Sequence, residues 1–137
     1  MYYYYHMGII VYNITKETHE GNNCFKCFRG ASVLGNPYTH IKDRKTLAMF
    51  VVKDREEAIA KYSDYFDQMY GKNRAFTGEI DKIYEKYKNG EDVYLGCYCH
   101  PLSCHCDIIK DKLQRRLIKE KIKNLKNEEV KTKEILA

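Results

Sequence analysis

The chain has 137 residues, 44% apolar and 31% charged, so it is long enough for one ordinary core and too apolar for wholesale disorder. No apolar run approaches the roughly 20 residues of a membrane span, and residues 1–8 lack the basic region and small-residue cleavage site of a secretory signal. The net charge is +5, and residues from Arg115 onward hold eight Lys or Arg against four Glu, which leaves the rest of the chain close to neutral. A cytoplasmic location and no membrane partner are therefore expected. Six reduced cysteines would then point to metal, catalysis or packing before disulfides.

Residues 8–14 read as a strand, because Ile9, Ile10, Val11 and Tyr12 are β-branched or aromatic. A polar turn over 16–23 follows, then a short strand over 24–28. Gly30, Gly35 and the Asn36-Pro37 pair predict a fixed irregular loop over 30–37. His40, Lys42 and Arg44 read as a solvated loop. Residues 47–52 are apolar and read as a further strand or a buried connector. Asp54-Arg55-Glu56-Glu57 is a capping box, and Ala58, Ile59, Tyr62, Phe66 and Met69 recur at helical spacing behind it.

A second helix is expected over 78–89, stopped by Gly90, and the strongest strand of the chain over 92–99. The last helix carries Ile109, Leu113, Leu117, Ile122 and Leu125, and the final dozen residues, poor in apolar groups, are expected to fray. Strands alternating with helices predict a small single-domain α/β layer fold: a mostly parallel sheet flanked by helices, with a basic C-terminal helix. Residues 1–123 form the expected domain, and residues 124–137 a charged tail or helix end.

Four of the six cysteines and two of the five histidines fall within 96–107, where a strand ends and a helix begins. Ligands bind at this end of open α/β sheets, where helix N-termini present free N–H groups. Strand alternation puts Cys97 and Cys99 on one face and Tyr98 on the other. A thiol at the start of the helix would have its thiolate favoured. Cys104, His105 and Asp107 therefore form a candidate thiol–imidazole–carboxylate catalytic cluster served by Cys99, while Cys97 and Cys106 are expected to pack as small apolar groups. Zinc is the competing reading, through Cys97, Cys99, Cys104 and His105, or through the Cys24-Phe25-Lys26-Cys27 pair. The spacing counts against zinc, because C-x-C-x4-C-H-C is not a standard knuckle and Cys24 and Cys27, three apart on a strand, point to opposite faces.

The second wall of a site is read at Gly35-Asn36-Pro37-Tyr38. Pro37 restricts Asn36 to an extended backbone, which aims its amide. Arg29, upstream, suits a phosphate. Arg29, Asn36, Tyr38 and Cys99 are thus candidate ligand-binding residues, converging on Cys104 from far away in sequence.

These segments resemble an uncharacterised domain-of-unknown-function family common in tailed phages and bacteria. The resemblance is carried by Val11-Tyr12-Asn13, by Gly35-Asn36-Pro37-Tyr38, by Asp54-Arg55-Glu56-Glu57 with Tyr62, and by 96–107, which reads Gly-Cys-Tyr-Cys-x-Pro-x-x-Cys-His-x-Asp. It covers residues 9–118. It departs at Cys106, where the family usually has Gly, and at Cys24 and Cys27. The signature is also similar to a second uncharacterised bacterial family in which a Cys-His-Arg opens a helix. Both imply a strand–loop–helix ligand site and supply no reaction; a phage origin would put the protein in host cytoplasm.

The function expected from these residues is binding of a nucleotide-like or phosphorylated small molecule, with hydrolysis or modification by Cys104 or His105 left open. The alternatives are a non-catalytic nucleotide sponge acting against host defence, and a zinc-stabilised module contacting host protein or nucleic acid through its basic tail. A homo-oligomer is compatible with each.

Overall fold

The computed structural model describes residues 8–41 and 48–136. Its elements run β1 (Ile9–Asn13), β2 (Cys24–Lys26), β3 (Tyr38–Thr39), β4 (Phe50–Val51), α1 (Arg55–Met69), α2 (Arg74–Lys88), β5 (Val93–Cys97) and α3 (His105–Leu136). This is the expected α/β class.

The main sheet is parallel, in the order β1-β5-β2. Ile9 lies opposite Val93, Asn13 opposite Cys97, and Cys24 opposite Tyr94 on the other side of β5. The period-2 pattern sorts the faces. Ile9, Val11, Val93, Leu95 and Cys97 enter one core with Tyr62 and Phe66 of α1, Phe76 and Ile80 of α2, and Ile109 and Leu113 of α3. Tyr12 and Tyr94 point to the opposite face. There the polar turn folds back, and the His19 ring stacks on Tyr94 at 4.1 Å and meets Tyr12 edge-on at 4.7 Å.

Asp54 caps α1 as expected, its carboxylate accepting from the Glu57 N–H at 2.8 Å. The second helix begins at Arg74, four residues before the expected Gly78. Asn73 is its cap, accepting from the Phe76 N–H at 3.0 Å, and the buried Phe76 anchors the first turn. Gly78 sits inside the helix on its open side, where an added Cβ would meet nothing within 4 Å. Gly90, at φ +86°, ends it.

The strand expected within 47–52 is present but short and not buried. Only Phe50 and Val51 form a strand among the described residues of that segment, and both are half-exposed; Val52 alone is buried. Their partner is β3, a two-residue strand that short-range patterning does not signal. Tyr38 and Phe50 stack across the pair at 5.2 Å. Lys42, Arg44 and Leu47 lie outside the described residues.

The last helix does not fray over its final dozen residues; it runs to Leu136. After Pro101 the sequence has neither Gly nor Pro, and Lys, Glu and Leu are good helix formers. The helix crosses residue 124 without a break, but its fully buried residues end at Leu113, and from Lys121 every described side chain is exposed. No described helix is long and apolar enough to cross a membrane.

Candidate functional site

The carboxyl ends of the parallel strands deliver three loops to one place. Asn13, the last residue of β1, is buried, and its Nδ2 donates to the carbonyls of Tyr98 at 3.1 Å and His100 at 3.0 Å. Its Oδ1 accepts from the Thr15 N–H and hydroxyl at 2.9 and 2.7 Å. One amide therefore fixes the turn that leaves β5. That turn passes through a cis His100–Pro101 peptide before α3 begins.

The facing wall is the Gly-Asn-Pro loop, fastened to α1. The Tyr62 hydroxyl donates to the Leu34 carbonyl at 2.7 Å, and Asn36 Nδ2 donates to the Ala58 carbonyl at 3.2 Å. Asn36 Oδ1 accepts from the Tyr38 N–H at 3.0 Å. Arg29 Nη1 donates to the carbonyls of Asn36 and Tyr38 at 2.8 and 3.1 Å. Gly35 lets the strands of this loop touch, because a Cβ there would lie 2.7 Å from the Arg29 Cα. The Asn36 amide is thus a brace inside the loop. The expectation that it is aimed at a ligand is not what its bonds show.

Both walls enclose one cleft of about 320 Å³. Arg29, Asn36, Tyr38, Cys99, Cys104 and His105 all line it, so the expected convergence of distant segments is present. Asp107 does not line it. That carboxylate is exposed and accepts from the Cys104 N–H at 3.0 Å, the work of a helix-start residue. The sequence reading missed Phe28, Arg55 and Tyr98 as lining residues, and Asn13 as the residue that positions the turn. Arg55 was legible only as part of a capping box. It also reaches across the cleft, Nη1 lying 3.4 Å from the Ser103 carbonyl. Because β5 ends at Cys97, strand alternation stops there, and Tyr98 joins Cys97 and Cys99 on the cleft instead of pointing away.

Beneath the cleft three thiols meet. The Sγ atoms of Cys97, Cys104 and Cys106 all lie within 4.8 Å of one another, and Cys104 Sγ is 3.5 Å from Cys97 Sγ. All three are buried. Hydrogen bonds from the Cys104 and Cys106 thiols, aided by the His100 N–H at 3.4 Å, hold Cys97 far below the usual thiol range. Cys104 is pushed up to about 12: the Cys106 hydrogen bond lowers it, but the Cys97 hydrogen bond and burial together outweigh that. Bonds to Cys104, Cys27 and Cys97 push Cys106 well above its ordinary value. These directions run opposite to the expectation that the helix-start Cys104 is the favoured thiolate, because thiol and backbone donors converge on Cys97 while the Cys97 sulfur and burial raise Cys104.

His105 is 8% exposed, and burial lowers its pKa, so the ring is neutral at pH 7. Its Nε2 lies 2.6 Å from the Cys27 carbonyl; since a carbonyl only accepts, that nitrogen carries the proton. Tyr62 packs edge-on against the ring at 4.9 Å.

No curated protein and no solved structure matches the chain. The sequence pattern of one family does, over residues 12–115, which takes in both cleft walls and all the buried thiols. The chain accordingly belongs to the family described as domain of unknown function DUF4326.

Proposed function

We propose that the cleft binds a phosphorylated, nucleotide-like small molecule and does not turn it over. The observation that carries this reading is the composition of the cleft. Phe28, Tyr38 and Tyr98 supply flat apolar faces, Arg29 and Arg55 supply cationic ones, and the first turns of α1 and α3 open onto the same space. A planar base suits the aromatic side, and a phosphate suits guanidinium groups and helix starts. The position at the carboxyl ends of parallel strands supports it further.

Binding is favoured over turnover by the state of the candidate catalytic groups. A buried Cys104 thiol pushed up to about 12 is a poor nucleophile at neutral pH. His105 is buried, with Tyr62 packed against its ring, so little of it is open to a ligand.

Isothermal titration with nucleosides, their mono-, di- and triphosphates and inorganic phosphate tests this. A phosphorylated nucleoside is expected to bind saturably and to be recovered unchanged. Arg55→Ala is expected to weaken it at least about tenfold, the worth of one charge-assisted contact. Equal binding of the unphosphorylated nucleosides, or no saturable binding by any phosphorylated one, would overturn the reading.

A further inference from the structure

The thiol cluster beneath the cleft is a separate feature. Three buried cysteines meet there, Cys97 at the end of β5 and Cys104 and Cys106 at the start of α3, and Cys27, just past β2 and some 70 positions away in sequence, lies beside them with its backbone bonded to Gly96 and His105. Each is at most 3% exposed. Free cysteines used only as small apolar groups have no reason to seek one another. We infer that Cys97, Cys104 and Cys106 bind a single zinc ion, with Cys27 as the fourth ligand.

The geometry suits one tetrahedral ion. With Zn–S near 2.3 Å, tetrahedral ligand sulfurs stand about 3.8 Å apart. Here the closest pair is at 3.5 Å and the triad spans no more than 4.8 Å, so closure needs side-chain adjustments of an ångström or less. That spread leaves room for one ion and is too tight for a multi-iron cluster. All-sulfur tetrahedral donors select a soft d¹⁰ ion such as zinc. The Cys97 sulfur already accepts the His100 N–H at 3.4 Å, the outer-shell bond that stabilises a metal-bound thiolate. Cys27 is the remaining buried thiol, and its backbone places it beside the triad: its N–H donates to the Gly96 carbonyl at 3.0 Å and its carbonyl receives His105 Nε2 at 2.6 Å, each one residue away from a triad cysteine. Its thiol otherwise points to the Phe25 carbonyl at 3.4 Å, a weak contact that ligation would replace.

This assignment differs from both zinc sets expected from the sequence. Cys99, His105 and Cys24 drop out: Cys99 and Cys24 are only half-buried, and neither ring nitrogen of His105 joins the group of ligand atoms within 4.8 Å. Binding releases the thiol protons to solvent and involves no redox change. The ion would tie β2, β5 and α3 together directly under the cleft. Cys97 and Cys104 also line the cleft, whereas Cys27 and Cys106 do not, and the metal reading needs no ligand in the cleft.

The test is the metal content of the full chain, purified under reducing conditions without chelator, together with cobalt(II) substitution. About one equivalent of zinc is expected, with a cobalt spectrum of tetrahedral, all-thiolate type. Cys97→Ser and Cys106→Ser should lose the ion, whereas Cys24→Ser and Cys99→Ser should keep it. Cys27→Ser should shift the cobalt bands towards three-sulfur coordination; unchanged bands would remove Cys27 from the set. Should the serine variants fail to fold, thiol titration of the native protein with and without a strong chelator still decides. Four thiols protected together and released together support the site. Substoichiometric metal even after zinc is supplied, bound iron in place of zinc, or a Cys97–Cys104 disulfide in the reduced preparation would overturn it.

Discussion

Asn13 has the most to do per atom of any residue near the site. It satisfies two carbonyls of the turn after β5 and two donors of Thr15 from inside the protein. Asn13→Ala leaves those groups unpaired and is expected to cost about 2–4 kcal/mol in urea unfolding, since each buried orphan costs about 1–3. Asn13→Asp should be at least as damaging. It keeps the acceptor for Thr15 but turns a second carboxylate oxygen towards two carbonyl oxygens. An Asp variant as stable as the parent would sink this account. On the other wall, Gly35→Ala forces a Cβ to within 2.7 Å of backbone that cannot swing away, so a loss of about 1–3 kcal/mol is expected in thermal unfolding. The sequence pointed to Asn36 and Arg29 as ligand contacts because their chemistry suits it. The Asn36 amide and one guanidinium nitrogen of Arg29 also brace the loop, and such partners cannot be read from residue type. Asn13 was legible only as the end of the Val11-Tyr12-Asn13 motif and as an Asn two residues before Thr15; its bonds to the turn after β5 reach residues more than 80 positions away.

At the scale of elements, the segments with strong periodicity or a capping residue were legible. These are β1, β5, α1 and the start of α3, and the order of strands and helices already implied a parallel sheet. What was not legible depends on tertiary pairing. β3 and β4 pair through backbone bonds and the Tyr38–Phe50 stack across the loop, whereas the early start of α2 was marked locally by the Asn73 cap, a signal the periodicity from Gly78 overshadowed. The clasp between α2 and α3 is likewise tertiary. The Arg116 guanidinium lies 3.8 Å from the Tyr84 ring centre, and the Tyr84 hydroxyl donates to Glu120 at 2.6 Å. That bond, with Lys88 and Arg116 nearby, holds the Glu120 carboxyl below its ordinary 4.5. A carboxyl depressed in the fold contributes stability above its unfolded pKa and loses it as pH falls through the lower folded value. Glu120→Gln should therefore be less stable than the parent at neutral pH, and the gap should narrow as pH falls below 4.5 and through the lower folded value. Glu120 is about one-third exposed, so solvent screening keeps the gap under about 1 kcal/mol. Urea midpoints of both proteins across that range check it; a gap that does not change with pH would mean the ion pairs contribute nothing.

At the scale of the whole molecule, the question is where the charge surplus sits. The +5 is concentrated after Arg115, which reads at first as a basic tail suited to nucleic acid. The surplus lies in fact before residue 124, because residues 124–137 hold three Lys and three Glu. Arg115 and Arg116 are engaged, with Asp111 at 2.8 Å and with Asp81 at 3.2 Å. What remains is an exposed run on α3 at Lys119, Lys121, Lys123 and Lys126. Ending the chain after Asn127 removes two Lys and three Glu, so net charge rises by one. The side chains removed are exposed throughout their described length, and cutting them away takes nothing from the core. The shortened protein is therefore expected to unfold at the same temperature and to elute from a polyanion column at the same or slightly higher salt. Replacing Lys119, Lys121 and Lys123 with Gln should do the opposite, eluting earlier with stability unchanged. If single-stranded nucleic acid is used as the polyanion, each phosphate that the variant no longer neutralises should lower the slope of log affinity against log salt by about 0.7. Weaker retention on shortening alone would put the basic surface in the last ten residues, where Glu outnumbers Lys.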